Sequence, residues 1–241
     1  FIPLRFWFCN PINALPIIAL QYTEVIIEVE TRSIEECIVL GKGVTMKDID
    51  IGDLSMELYI NGIYLDNGER RKIVQKKHEC IIDQLQFYGG EEVIGPHPKI
   101  KLGLNHPVNE IVFALQECYV DNQANGNLPA IMQNQWNDYG IRNPNGPMFN
   151  DSQISGHPIH MCNVLLNKIE RYEMMSGKWH NKLQPWIHHS RIPWSADGKT
   201  NGINVYSFSL DPEDMNNPNG ACNMSRIDEF EINLSLNKLY D

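Results

Sequence analysis

The stretch Phe230-Glu-Ile-Asn-Leu-Ser-Leu236 alternates bulky apolar and polar residues without a break. Successive side chains of a β-strand point to opposite faces, so the four apolar residues would share one face and the polar residues the other. This stretch therefore predicts a strand with one face against a hydrophobic core.

The same period of two recurs along the chain and predicts an all-β protein. The segment Ile203 to Leu210 is bulky on both faces, which is typical of a strand inside a sandwich. Helical patterns are scarce: Asp66 to Lys77 could hold a short exposed helix, and Val164 to Met175 fits a hairpin better than a helix because its flanks are β-like. The other predicted strands are residues 25–30, 54–60, 80–87, 108–119 and 160–166.

Long segments rich in Asn, Gly and Pro separate these strands. Loops of such length are unusual in a compact domain unless they bind or cover something. Short strands joined by long polar loops favour a β-sandwich decorated at its ends. The segments are residues 89–106, 121–156, 195–202 and 211–220.

Composition excludes several functional classes. The formal net charge of -10 means that the surface would repel phosphate backbones, so we expect no nucleic-acid partner. The sequence has no apolar run of 18 or more residues, so no membrane span is expected. The six cysteines are far apart and form no C-x-x-C pair, which favours small buried hydrophobes in a reducing compartment over a disulfide framework.

The most chemically suggestive residues are histidines. His160 and Cys162 would share one face of a predicted strand, and His188 could join them at a metal, as histidines on facing strands do in jelly-roll metalloenzymes. Against this, no carboxylate lies close to the first histidine, and adjacent histidines of an extended chain cannot face the same ion. We therefore predict no metal ligands, with a metalloenzyme as an alternative whose candidate residues are His157, His160, Cys162, His180, His188 and His189.

Other catalytic signals are absent from the sequence. It has no Gly-x-Ser-x-Gly motif and no phosphate-binding glycine loop, so we predict no catalytic or cofactor-binding residues, no cofactor, and a protein that is not an enzyme. Trp186 and Trp194 could stack on sugars, which leaves a carbohydrate-binding module as a second alternative. In β-sandwiches such aromatic residues more often form core or subunit contacts.

Several blocks of sequence, in order along the chain, resemble the major capsid proteins of nucleocytoplasmic large DNA viruses. They cover nearly the whole chain, and the most distinctive is Gly202-Ile-Asn-Val-Tyr-Ser-Phe-Ser-Leu210. One departure is Asn167-Lys168, which stands where the family commonly has Asn-Gly and weakens the hairpin prediction there. The other blocks are residues 3–22, 64–71, 78–86, 106–113, 184–193 and 220–228.

The resemblance implies two jelly-roll sandwiches side by side. Residues 1–67 would be the C-terminal strands of the first jelly roll, residues 68–77 a linker, and residues 78–241 a complete second jelly roll. The chain begins in what resembles the middle of a strand, so we expect further residues before Phe1.

The resemblance also implies a structural role rather than an enzymatic one. Three subunits would form a pseudo-hexagonal capsomer, and capsomers would tile an icosahedral shell. The implied partners are other copies of the chain, neighbouring capsomers and minor capsid proteins beneath the shell. The implied location is the virion capsid, assembled in the host cytoplasm.

Overall fold

The computed structural model describes residues 2–38, 46–50, 52, 55–116, 139, 141–142, 154–192 and 202–237. The chain divides into two compact units. The first contains Phe1–Ile38 and Gly43–Gln84, and the second contains Val39–Lys42 and Leu85–Asp241.

The first unit contains short helical elements. Helix α1 spans Ile34–Cys37 and helix α2 spans Asn67–Gln75. Oδ1 of Asp66 accepts the backbone N–H of Glu69 at 2.8 Å, which fixes the start of α2 as an aspartate N-cap should. The predicted short helix is thus confirmed. Single 3₁₀ turns lie at Trp7–Cys9, Pro11–Asn13, Ile17–Ala19 and Met46–Asp48.

Three of the predicted strands are not formed. The described residues within 25–30, 54–60 and 80–87 carry no strand, and apolar side chains such as Ile26, Ile60 and Leu85 are exposed. Alternation gives a segment an apolar face, but a strand also needs a neighbour that accepts its backbone hydrogen bonds. No partner strand pairs with these segments within the described residues, so the structure of this chain does not contain these three predicted strands.

The second unit is built from antiparallel strands. Its largest sheet has the order β1-β11-β6-β7, with β8 also paired to β6. Three two-stranded sheets are formed by β2 with β10, β3 with β9, and β4 with β5. The strands of the described residues are β1 (Lys99–Leu102), β2 (Pro107–Val108), β3 (Glu110–Ala114), β4 (Ile141–Arg142), β5 (Ile154–Gly156), β6 (Ile159–Leu166), β7 (Ile169–Glu170), β8 (Met175–Ser176), β9 (Ile203–Ser207), β10 (Cys222–Asn223) and β11 (Phe230–Leu236).

The pairing of this unit is nested. The first strand, β1, pairs with the last, β11; β2 pairs with β10; and β3 pairs with β9, all antiparallel. A chain folded back in this way forms one long antiparallel ribbon, and rolling that ribbon produces a jelly-roll sandwich. The predicted all-β fold follows from this pairing.

The core lies against one face of β11. Phe230, Ile232 and Leu234 are buried there, opposite Leu166, Val164 and Cys162 of β6. This confirms the alternation that predicted the strand. The polar face is less exposed than the pattern implied: β11 lies between β1 and β6, and even Glu231 is buried.

A two-residue turn at Asn167 and Lys168 joins β6 to β7. Both residues have positive φ, 50° and 66°, as a type I′ turn requires. Oδ1 of Asn167 also accepts the backbone N–H groups of Asp228 at 2.9 Å and Glu229 at 3.0 Å. The hairpin prediction is confirmed, although lysine occupies a position that favours glycine.

A helical segment after β8 was not predicted. A π-helical turn at Trp179–Leu183 continues into helix α3, Gln184–His188. Pro185 lies at the start of α3, where the fixed φ of proline suits a helix. The absence of period-two alternation in this stretch was the signal that sequence reasoning missed.

Candidate functional site

A β-bulge lies at His160, which was predicted to share a face of β6 with Cys162 as a candidate metal ligand. In the β6–β11 ladder Met161 pairs with Ser235 but Ile159 pairs with Leu236, so His160 is the extra residue of the bulge. His160 is exposed while Cys162 is completely buried. The prediction that they share a face is therefore wrong.

His157 is also buried, where β5 leads into β6. Its Nδ1 lies 2.8 Å from the carbonyl oxygen of Ile159, and its own carbonyl accepts the side-chain N–H of Asn237 at 2.5 Å. Burial lowers the pKa of His157, which keeps the ring neutral. Its contacts are those of a packed structural histidine.

His180 lies at the centre of a buried aromatic cluster. Its Nδ1 faces the carbonyl oxygen of Ser176 at 3.4 Å, and its Nε2 accepts the hydroxyl of Tyr172 at 2.7 Å. Its ring centroid is 4.7 Å from that of Trp179 and 6.0 Å from that of Phe113. Burial lowers the pKa of His180 to about 4, because the aromatic rings cannot solvate a charged imidazole.

The thiol of Cys162 lies against the same cluster. Burial raises its pKa to about 12, and Tyr172, whose pKa burial also raises, is its polar neighbour. A thiol must lose its proton to act as a nucleophile or as a zinc ligand. Cys162 is therefore a core residue, and the other cysteines that the structure describes are free as well.

His188 and His189 face different partners. Nδ1 of His188 donates to the carbonyl oxygen of Leu210 at 3.0 Å. Nε2 of His189 lies 2.8 Å from Oε2 of Glu110, and its Nδ1 lies 3.3 Å from Oε1 of Glu213. The two carboxylates approach opposite nitrogens of one ring, so His189 links Glu110 of β3 to Glu213 in the loop after β9, and the three groups cannot converge on one ion.

The carboxylate of Glu213 is further fixed by its neighbours. Its Oε2 accepts the backbone N–H of Ser190 at 3.1 Å. Hydrogen bonding from Ser190, together with His189, holds the pKa of Glu213 below its usual value. This arrangement ties the end of α3 to the loop after β9.

The described residues do not form the sites of the two alternatives, the metalloenzyme and the carbohydrate-binding module. Within the residues that it describes, no group of three or more His, Cys, Asp or Glu side chains could hold a metal ion. Trp186 is exposed on α3, whereas Trp194 lies outside the described residues. In the described part of the chain no helix has the length and apolar character needed to cross a bilayer.

These observations define a class of protein. The second unit is a nested antiparallel β-sandwich in which His157, His180 and Cys162 serve packing. The class that this pairing defines is a jelly-roll β-sandwich protein.

Comparison with known families identifies the structural protein. Residues 69–240 match the family model described as large eukaryotic DNA virus major capsid protein, and residues 1–66 match major capsid protein N-terminus. The chain belongs to the major capsid protein family of large DNA viruses. Members of this family build shells, so the prediction of a capsid protein rather than an enzyme is confirmed.

Individual relatives agree with this assignment. The chain is 36% identical to the major capsid protein of Pyramimonas orientalis virus, over 97% of this chain and 53% of that protein. It is 33% identical to the major capsid protein of Phaeocystis pouchetii virus, over 98% of this chain and 58% of that protein. The chain thus spans little more than half the length of these relatives.

A solved structure supports the fold. The crystal structure of PBCV-1 VP54, fitted into a cryo-EM reconstruction of the virophage Sputnik, matches with a TM-score of 0.52 and 23% identity. The match covers 73% of this chain and 43% of that one. The jelly-roll fold class is thereby confirmed.

Proposed function

We propose that this chain forms part of homotrimeric, pseudo-hexagonal capsomers that tile the icosahedral shell of a large DNA virus. The observation that carries the proposal is the nested pairing of β1, β2 and β3 with β11, β10 and β9, in a region that matches the capsid family. This pairing is that of a jelly-roll sandwich, and the loops at the ends of the sandwich remain available for contacts between subunits.

Shell assembly does not need one strong site. Contacts repeated by symmetry sum to a stable shell even where each contact is weak. This is consistent with a fold whose buried polar residues hold the sandwich together. The proposed partners are other copies of the chain, neighbouring capsomers and minor capsid proteins beneath the shell. The net charge of -10 supports a surface that avoids nucleic acid, and the proposed assembly site is the host cytoplasm.

The domain division is part of the proposal. Residues 1–67 would supply the C-terminal strands of a first jelly roll, residues 68–77 a linker and residues 78–241 the second jelly roll. Helix α2 lies at the junction of the two family matches, which supports a linker there. The alternation of residues 25–30 and 54–60 fits strands that form once partner strands are supplied.

The oligomeric state tests the capsomer. The chain should be extended at its N-terminus with the N-terminal half of the Pyramimonas orientalis virus relative, and its mass measured by light scattering. We expect three times the mass of one extended chain and a pseudo-hexagonal outline in negative-stain images. A stable monomer or dimer would refute the trimer.

Hydrogen exchange and proteolysis test the domains. The amides of residues 25–30 and 54–60 should exchange rapidly in the chain alone and slowly in the extended trimer. Limited proteolysis should cut within residues 68–77 and release a fragment that starts near His78. Equal exchange in both proteins, or a first cut inside residues 85–116, would contradict the division.

A further inference from the structure

His189 connects three elements of the second unit. It directly follows helix α3, and its ring lies between Glu110 at the start of β3 and Glu213 in the loop after β9. Nε2 is 2.8 Å from Oε2 of Glu110, and Nδ1 is 3.3 Å from Oε1 of Glu213. The side chain of His189 is only 15% exposed, so the ring is shielded from water while both carboxylates remain partly solvated. We call these three side chains the His189 clamp.

Backbone hydrogen bonds bring the elements of the clamp together. Oε2 of Glu213 accepts the N–H of Ser190 at 3.1 Å, which joins the loop after β9 to the end of α3. The carbonyl oxygen of Asn109, the residue before β3, accepts the N–H groups of Phe208 at 2.8 Å and Ser209 at 3.1 Å. The start of that loop therefore lies against the start of β3, and the carboxylates meet the ring from two sides.

The two contacts can both be hydrogen bonds in only one protonation state of the ring. A neutral imidazole has one N–H and one lone pair, whereas a protonated imidazole has an N–H on both nitrogens. Whichever nitrogen keeps the proton, a neutral His189 presents a lone pair to one of the two carboxylates. Only the protonated ring can donate to Glu110 and Glu213 at the same time. Histidine gains and loses this proton close to neutral pH.

The other charged groups of these elements have different partners. Asp211 and Asp214 accept backbone N–H groups of their own loop. His188 faces a carbonyl oxygen, and Arg191 is exposed. Within the described residues, the charged groups in contact with the ring are thus the two glutamates. Hydrogen bonding from Ser190, together with His189, holds the pKa of Glu213 below its usual value, so this carboxylate stays ionised while histidine titrates.

We propose that the His189 clamp is a pH-sensitive device that fastens the loop after β9 and the end of α3 to β3. The protonated ring holds both carboxylates, and loss of the proton releases one of them. The stability that the clamp contributes is therefore present at low pH and is lost as the pH rises through the range in which histidine titrates. This direction is opposite to that of His180, whose burial favours the neutral ring. The clamp lies within the second unit and needs no other subunit, so failure of the proposed capsomer would leave it untouched.

A double-mutant cycle at two pH values tests the clamp. Urea denaturation is measured for the full chain, His189→Gln, Glu213→Gln and the double variant, at pH 5.5 and at pH 8.5. The coupling of the two side chains should change the unfolding equilibrium constant by about threefold at pH 5.5 and by less than about 1.5-fold at pH 8.5. The effect of His180 is common to all four proteins and cancels in the cycle. A second cycle, of His189→Gln with Glu110→Gln, should give the same pattern and serves if the Glu213 variants do not fold.

His188 supplies the matched control. It is the neighbour of His189 in sequence, but it faces the uncharged carbonyl group of Leu210. The cycle of His188→Gln with Glu213→Gln should therefore show no coupling at either pH.

Hydrogen exchange follows the release of the loop, once corrected for the intrinsic pH dependence of amide exchange. Residues 208–216 of the wild type should be less protected at pH 8.5 than at pH 5.5, and those of His189→Gln should be equally protected at both.

Three results would overturn the clamp. Coupling of equal size at both pH values would mean that His189 holds the carboxylates without its charge. Absence of coupling at both pH values would mean that the contacts contribute nothing. Equal protection of residues 208–216 at both pH values in the wild type would mean that the loop is not released. None of these results changes the mass of the extended chain, so the clamp and the capsomer are refuted separately.

Discussion

Acidification should destabilise the second unit through His180. The ring is completely buried and lies against Tyr172, Trp179 and Phe113, with no carboxylate among these contacts. His157 is a further imidazole near enough to oppose its protonation. A proton taken up by His180 would place an uncompensated charge inside the aromatic cluster.

The loss of unfolding free energy follows from the pKa of His180. Burial lowers the pKa of His180 from 6.5 to about 4. The unfolded chain therefore binds more protons than the folded chain between these values, so the free energy of unfolding falls as the pH is lowered through them. The contribution is fully present above pH 6.5; about 2 kcal/mol is lost by pH 5 and about 3 kcal/mol by pH 4. His157, whose pKa burial also lowers, adds a loss in the same direction.

Urea denaturation at several pH values from 7.5 to 5.0 measures this effect. Carboxylates remain largely ionised in that range, so the histidines dominate the change. His180→Gln removes the titrating ring and should flatten the pH dependence by about 2 kcal/mol, although its stability at pH 7.5 is lower. His160→Gln is the matched control, because His160 is an exposed histidine of the same unit. If His180→Gln loses as much stability as the wild type between pH 7.5 and 5.0, the assignment to His180 is wrong.

Three substitutions test the packing, each measured by urea denaturation at neutral pH. Lys168→Gly should stabilise the chain by about 0.5–1 kcal/mol, because glycine adopts the positive φ of the hairpin turn without strain; an unchanged or lower stability would argue against that turn. Gly177→Ala should destabilise it by roughly 2–3 kcal/mol, since the added methyl would meet the carbonyl oxygen of Ile159 and the ring of His157, and a neutral effect would show that the segment can move away. Ile232→Ala should cost roughly 3–4 kcal/mol at the centre of the core, and a loss below 1 kcal/mol would mean that β11 is misplaced.

The sequence correctly predicted the strands and the helix whose patterns lie within a few neighbouring residues. The alternation in β11, the bulky run in β9 and the charged helix α2 were all read from neighbouring residues, and the structure contains them. The burial of Glu231 on the polar face of β11 could not be read in this way, because β11 pairs with strands more than 60 residues distant in sequence. The nested order of the strands is equally non-local.

The prediction that His160 and Cys162 form part of one site was wrong for a related reason. His160 and Cys162 share a face only in a regular strand, and the bulge arises from the register between β6 and β11. Sequence spacing carries no information on where that register shifts. Trp186 was considered with Trp194 as a sugar platform, whereas the structure places Trp186 in a helix that the sequence pattern did not predict.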